Sequence, residues 1–160
     1  ASKGQGCWFK RGRENPRMIR VAAAVPLRSA TVCASGPHAS NIQPLPDTHP
    51  YNLTGVIEQA RKFKFGPDCL QHALVARGRI NAAIDTVMKP WDIAALVPCI
   101  EEAGGILTDL RGNRAGILNC DNILASCSEQ LHDEMLQVLN AGINPSLLND
   151  PAIVLASQGA

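Results

Sequence analysis

Apolar side chains at Ile93, Leu96, Val97 and Ile100 follow the spacing i, i+3, i+4, i+7, which predicts a helix with one buried stripe. Gly104 and Gly105 end it, and Pro98 falls inside it, where a kink or a restricted turn is expected. The stretch just before alternates instead. Ile80, Ala82, Ile84 and Thr86 fall on one side and Asn81, Ala83, Asp85 and Val87 on the other, a strand running towards Lys89. Downstream, "ILTDL" and "NILAS" read as strands, and Ser128 caps a helix with Leu131, Met135, Val138 and Leu139 inward. Upstream, Val21 to Val25 and "SATVCAS" read as two short strands joined by "PLR", and 36–52 reads as loop. Thr54 is the expected cap of a helix reaching about Phe63, with Val56, Ile57, Ala60 and Phe63 on one face. "FGPD" breaks it. Asp68 caps the next helix, with Leu70, Ala73 and Leu74 inward and Gly78 as its stop. Strands alternating with helices, without internal repeats, predict a layered α/β sheet-and-helix domain over 1–143, followed by a tail, 144–160, with no firm period.

Composition changes this picture little. A chain of 160 residues with 46% hydrophobic and 18% charged residues is that of an ordinary globular domain. The net charge of +1 gives no reason to expect nucleic acid or an acidic membrane as partner. Charge is uneven, however: Lys3, Lys10, Arg11, Arg13, Arg17, Arg20 and Arg28 stand against Glu14 alone in residues 1–28. Only Trp8 and Phe9 interleave with that basic edge, so a solvated hairpin is the plainer reading. Six cysteines without a C-x-x-C pair support neither zinc nor a redox motif, and a reducing cytoplasm is the simplest compartment. No apolar run reaches the length of a membrane span and no signal-peptide pattern opens the chain.

The candidate chemistry gathers at "INAAIDTVMKPWDIAALVPCIEEAGG". Asp92 at a helix start needs no function, since it can accept backbone N–H groups and complement the dipole. Asp85 lies on the strand leading to it, and two carboxylates at a strand-to-helix crossover sit where open α/β sheets bind ligands. Carboxylates gathered there suit Mg²⁺, a hard cation that takes oxygen ligands. Ser35 and Ser40 lack a G-x-S-x-G elbow. His38, His49, His72 and His132 lack ligand spacing and read as loop or surface histidines; Glu101 and Glu102 read as a solvated face, and Asp109 as a strand-end residue.

"KPWDIAALVPCIEEAGGILTDLRG" closely resembles the C-terminal motif of the inositol-monophosphatase superfamily, W-D-x-A-A followed by E-A-G-G and a strand with Asp. "GPDCLQHALVARGRINAAID" is similar to the family's Gly-x-x stretch, its "VA-x-G" helix and the strand after it; "ASKGQGCW" is similar to an N-terminal hairpin of the family. The resemblance covers all but the tail. Gly66-Pro67-Asp68-Cys69 and "MKPWDIAALVPCIEEAGG" lean towards the histidinol-phosphate phosphatase branch, as does "SGPHAS". The resemblance implies the C-terminal half of an inositol-monophosphatase-like fold and a Mg²⁺-dependent phosphomonoesterase acting on a small-molecule phosphate ester, histidinol phosphate in histidine biosynthesis. It implies a metal-ligand role for Asp92 and a substrate-binding role for Asp85, Gly66, Pro67 and Asp68. Asp85 stands where the family usually has Glu, and Lys64 where the branch often has Arg. The family's first metal site, a Glu–Glu pair and a D-P-[LI]-D-G-T motif, lies N-terminal to these stretches, and no such motif precedes them here. The expectation is therefore a half-enzyme whose N-terminal half is missing and which has little activity alone; a homodimer stays open. Alternatives are an inositol-phosphate or related sugar-phosphate phosphatase and, from another class, a non-catalytic half-domain that binds a ligand or partner.

Overall fold

A computed structural model describes residues 1–46 and 50–142; the 144–160 tail and His49 fall outside them. A short antiparallel hairpin comes first, β1 (Cys7–Phe9) and β2 (Arg17–Ile19), with Phe9 opposite Arg17. The main sheet has five strands in the order β4-β3-β5-β7-β6: β3 (Thr31–Ala34), β4 (Lys62–Phe65), β5 (Ala82–Thr86), β6 (Ile106–Thr108) and β7 (Asn122–Ser126). β3 runs parallel to β4 and β5, while β7 is antiparallel to β5 and β6. Helices α1 (Leu53–Gln59) and α4 (Glu129–Leu139) pack on one face; α2 (Asp68–Ala76) and α3 (Pro90–Glu102) pack on the other.

β5 is the centre of the domain, and both of its faces are buried. Ala82 and Ile84 join a core with Leu53, Val56, Leu131 and Met135. Ala83 joins a second core with Val75, Ile93, Ile100 and Ile123. Helices on both faces are what a sheet with parallel crossovers requires. The α3 stripe is as the pattern predicts, with Ile93, Leu96 and Ile100 buried, and the helix continues through Pro98. Ser128 caps α4, its side chain accepting from the Leu131 N–H at 3.3 Å.

Several expectations fail for physical reasons. Val21–Val25 is not a strand. Its small side chains thread between helix ends, where the Val21 N–H donates to the Ala103 carbonyl at 3.0 Å. A Cβ on Gly105 would stand 2.9 Å from Val21 Cγ1, so that passage closes to anything larger. The predicted helix to Phe63 stops at Gln59, and its cap is Asn52, which accepts from the Gly55 N–H at 2.9 Å. "KFKF" then becomes β4, because the exposed edge of β3 offers it a parallel ladder. Asp68 is the first residue of α2 rather than its cap; Pro67 holds that position without a side-chain bond. Leu70 points outward, and the buried face of α2 carries Gln71, His72, Val75 and Ala76.

The histidine and glutamate readings change as well. His72 and His132 are buried, not at the surface. His132 bridges two hydroxyls, Thr108 Oγ1 on Nε2 and Ser126 Oγ on Nδ1, each at 2.8 Å. Glu102 is no idle solvated group, since its carboxylate accepts the N–H groups of Gly4 and Gly6 at 2.6 and 2.8 Å and ties the hairpin to α3. Asp109 directly follows β6 and collects the N–H groups of Arg111 and Asn113 into a tight turn. All six cysteines are free thiols. Among the described residues no helix is long and apolar enough to cross a membrane.

Candidate active site

The site forms where β3 and β5 end and α2 and α3 begin. Ser35 follows β3, Asp85 and Thr86 close β5, Asp68 opens α2 and Asp92 lies in the first turn of α3. Together with His38, Cys69, Val87 and Met88 they line a concavity of about 340 Å³. Three carboxylates predicted from sequence, Asp68, Asp85 and Asp92, thus meet at one place. Gly66 and Pro67 do not line it. They turn the chain from β4 into α2, with the Gly66 N–H on the Ala34 carbonyl at 2.9 Å, and so deliver Asp68.

Asp85 is only 4% exposed. Its Oδ1 accepts the Thr86 N–H at 2.9 Å, and its Oδ2 faces Gln71 Nε2 and His72 Nε2, each at 3.5 Å. The shorter bond of Gln71 Nε2, 2.9 Å, goes to the Ile84 carbonyl. His72 has no aligned hydrogen-bond partner among the described residues, so its approach to Asp85 is electrostatic contact at the limit of hydrogen-bond reach. Burial pushes the Asp85 carboxyl up, but His72, Ser35 and the Thr86 N–H together outweigh burial and hold it below the usual carboxylate range. A buried charge is kept, and it sits at the bottom of the site.

Asp92 answers to both readings of its sequence position. Its Oδ2 accepts the Lys89 N–H at 2.9 Å, so it does close the start of α3. Its Oδ1 has no hydrogen bond among the described residues, and the side chain lines the concavity. One oxygen caps while the carboxylate remains available to a ligand. The Asp68 side chain is exposed at the positive end of α2 and makes no hydrogen bond among the described residues.

Sequence reasoning missed Ser35, His38 and Thr86. They are fixed by long-range bonds: the His38 carbonyl accepts both Tyr51 Oη and Thr86 Oγ1 at 3.2 Å, which ties the loop after β3 to the end of β5. Burial pushes the Tyr51 phenol up to about 12, so it stays a donor. At Val87 the backbone takes the left-handed region, φ 62°, an outlier for a β-branched residue, and the side chain is 60% exposed. The strained turn is what swings the chain from Asp85 into α3 within the rim of the site.

The oxygen donors suit a hard divalent cation in kind. They do not close a cation site by themselves: among the described residues no group of three or more His, Cys, Asp or Glu side chains is arranged to hold a metal.

An α/β layer with carboxylates at the carboxyl ends of its parallel strands defines a ligand-binding site of the open-sheet class. The chain belongs to the inositol monophosphatase family, whose model matches residues 1–144. It is 37% identical over 129 residues to a histidinol-phosphatase of Chlorobaculum parvum, covering 78% of this chain and 46% of that protein. It is 32% identical over 143 residues to an inositol-1-monophosphatase of Caulobacter vibrioides, covering 87% and 52%. Among solved structures, the extragenic suppressor protein suhB of Bartonella henselae superposes with a TM-score of 0.73 at 27% identity, covering 89% of this chain and 52% of that one. The chain spans about half the length of the curated relatives it matches.

Proposed function

We propose that this chain is the substrate-facing part of a Mg²⁺-dependent phosphomonoesterase whose substrate is histidinol phosphate. The observation that carries the reading is the convergence of Asp68, Asp85 and Asp92 on one concavity at the carboxyl ends of β3 and β5. Family membership supports phosphate-ester hydrolysis, and the 37% identity to a histidinol-phosphatase supports the substrate.

A bound Mg²⁺ supplies charge neutralisation at the phosphoryl oxygens and a more acidic water. Asp92 would hold it through the carboxylate that also caps α3. Asp85 is fixed in the ionised form by His72, Ser35 and the Thr86 N–H, which suits it to accept hydrogen bonds from the hydroxyl or ammonium side of the substrate. Asp68, an exposed residue of the same lining, would add a second negative charge for a cationic leaving group. Inositol carries only neutral hydroxyls, whereas histidinol carries an ammonium and an imidazole that protonates near neutral pH. The same carboxylates would also serve an inositol-phosphate phosphatase, the reading favoured by the Caulobacter relative.

Steady-state assays with Mg²⁺ on histidinol phosphate and on inositol phosphate test the reading, using this chain and a longer protein that contains it. Metal-dependent turnover with a higher kcat/KM on histidinol phosphate is expected of the longer protein. Preference for inositol phosphate would overturn the substrate, and saturable binding without turnover would leave a non-catalytic binding module.

A further inference from the structure

A second concavity, of about 230 Å³, lies away from the carboxylates and has the opposite charge. It is lined by Arg17, Met18, Ile19 and Arg20 from β2 and its end, and by Arg77 and Arg79 from the turn between α2 and β5. Four arginines therefore line one small hollow. None of the four forms an ion pair with a carboxylate among the described residues, where the acid–base pairs are His72–Asp85 and Arg114–Glu101. The acid that feels Arg20 is Glu102, and its oxygens are already taken by the Gly4 and Gly6 N–H groups.

Backbone packing sets the segments that carry these arginines, whose side chains are exposed at Arg17, Arg20 and Arg79 and half-buried at Arg77. Gly78 sits at φ 65°, and a Cβ there would stand 2.9 Å from the Arg20 carbonyl and 3.1 Å from the Ala22 nitrogen. Only a glycine lets the α2–β5 turn press so closely on the chain leaving β2. That contact brings Arg77 and Arg79 beside Arg17 and Arg20. Phe9 orders two of them: the Arg77 guanidinium stacks 3.8 Å from its ring centroid and that of Arg17 lies at 5.6 Å. Arg77 also complements the negative end of α2, but this accounts for one cation of the four.

We propose that this hollow is a binding site for a di- or triphosphate group, separate from the catalytic carboxylates. Guanidinium forks match phosphate oxygens in pairs, and arginine is the side chain suited to such recognition. The charge count sets the number of phosphates. Glu102 offsets part of the Arg20 charge, which leaves roughly three positive charges for a ligand; a phosphate monoester carries about −1.5 to −2 near pH 7, so balancing them takes two or more linked phosphates. α2 runs from Asp68 at the carboxylate concavity to Ala76, and Arg77 follows it at this hollow, so the two sites lie at opposite ends of a single helix.

The test is calorimetric titration of the full chain with pyrophosphate, tripolyphosphate, ADP and orthophosphate, in EDTA so that no cation can recruit phosphate to the carboxylates. Tripolyphosphate and pyrophosphate should bind with clear preference over orthophosphate. The double variant Arg77→Gln/Arg79→Gln should weaken them about tenfold or more, because each lost guanidinium removes charge-assisted bonds. Arg17→Gln/Arg20→Gln, on the hairpin side, should do the same if the first variant folds poorly, while Arg28→Gln/Arg61→Gln should not. Binding of ADP equal to that of pyrophosphate would mean the linked phosphates alone are read, and tighter binding would mean that a nucleotide is the source; both support the site. Equal affinity for orthophosphate, undiminished binding in both hollow variants, or tighter binding of a single-stranded RNA oligomer than of tripolyphosphate would each overturn it.

Discussion

His72 Nε2 stands 3.5 Å from Asp85 Oδ2 with both side chains buried, and this pair joins α2 to the central strand beneath the carboxylate-lined concavity. Asp85 keeps its carboxyl below the usual range even though burial pushes the other way. A carboxyl held low contributes stability that is present above its unfolded value and is lost as pH falls through the lower folded value. His72→Leu removes one of the groups that offset burial. The folded value of Asp85 should rise, and the variant should lose stability relative to the parent chain as pH is raised from 3 to 5. Removing one partner of a buried charge costs about 1–3 kcal/mol, which chemical denaturation across that range resolves. A deficit that does not change between pH 3 and 5 would mean that His72 only fills space.

Asp92→Asn separates capping from ligation. Asparagine can still accept the Lys89 N–H, so the 2.9 Å bond that closes α3 survives and the stability loss should stay within about 1 kcal/mol, the worth of the charge at the helix start. A metal ligand would lose its charge. Even partners one shell removed from a metal are worth 10–100-fold, so turnover at limiting Mg²⁺ should fall about 100-fold or more. Thermal denaturation and Mg²⁺ titrations of activity, made on whichever form of the protein turns over, read the two effects independently. Unchanged turnover at limiting Mg²⁺ would leave Asp92 a cap alone.

Much of this was legible along the chain where a local period decides burial. The α3 stripe of Ile93, Leu96 and Ile100 is one example, and the passage from Asp85 into Asp92 is another. β4 was not, because "KFKF" is too short to announce itself and becomes a strand only by pairing with β3. His72 reads as a loop or surface histidine, yet it and Gln71 are buried because Asp85 and the Ile84 carbonyl need partners inside. His38 reaches the site through its carbonyl, which accepts from Tyr51 and Thr86, and Ser35 through its N–H on the Ile84 carbonyl, all far along the chain from them. The arginine hollow shows the same limit. Arg17 and Arg20 are visible as a basic edge, but nothing local tells that Gly78 will bring Arg77 and Arg79 against them.

His132 makes stability acid-sensitive at a place outside the carboxylate concavity. Burial lowers its imidazole to about 4, and its two nitrogens are occupied by Thr108 and Ser126 hydroxyls. Thr108 Oγ1 already donates to the Asp109 carbonyl at 2.6 Å, so it accepts from Nε2–H, while Ser126 Oγ has one hydrogen to share between Nδ1 at 2.8 Å and the Ser128 carbonyl at 3.2 Å. The folded chain thus keeps this ring neutral where the unfolded chain would protonate it. Its contribution is present above about pH 6.5 and is lost as pH falls towards 4, in total about 3 kcal/mol. Urea denaturation from pH 7 to pH 4 should show this decline, and His132→Gln, which cannot titrate, should flatten that part of the profile. A slope equal in both proteins would assign the acid sensitivity to other groups.

Asp68 is the residue on which the choice of substrate turns. It lines the carboxylate concavity from the first position of α2, exposed and without a side-chain hydrogen bond among the described residues. If its carboxylate does no more than complement the positive end of α2, neutralising it should cost a few tenths of a kcal/mol of stability and leave the choice of substrate alone. If it faces the ammonium of histidinol phosphate, it adds a charge-assisted contact worth about 1.5–3 kcal/mol, or roughly tenfold or more in kcat/KM. Asp68→Asn keeps size and hydrogen-bonding reach while removing the charge. Turnover of histidinol phosphate should therefore fall about tenfold, with turnover of inositol phosphate nearly unchanged. Raising the ionic strength should narrow the gap between the parent and the variant, because an exposed charge is screened within a Debye length. A substrate ratio that Asp68→Asn leaves unmoved would return this carboxylate to a helix-end role and take the main support from histidinol phosphate as the substrate.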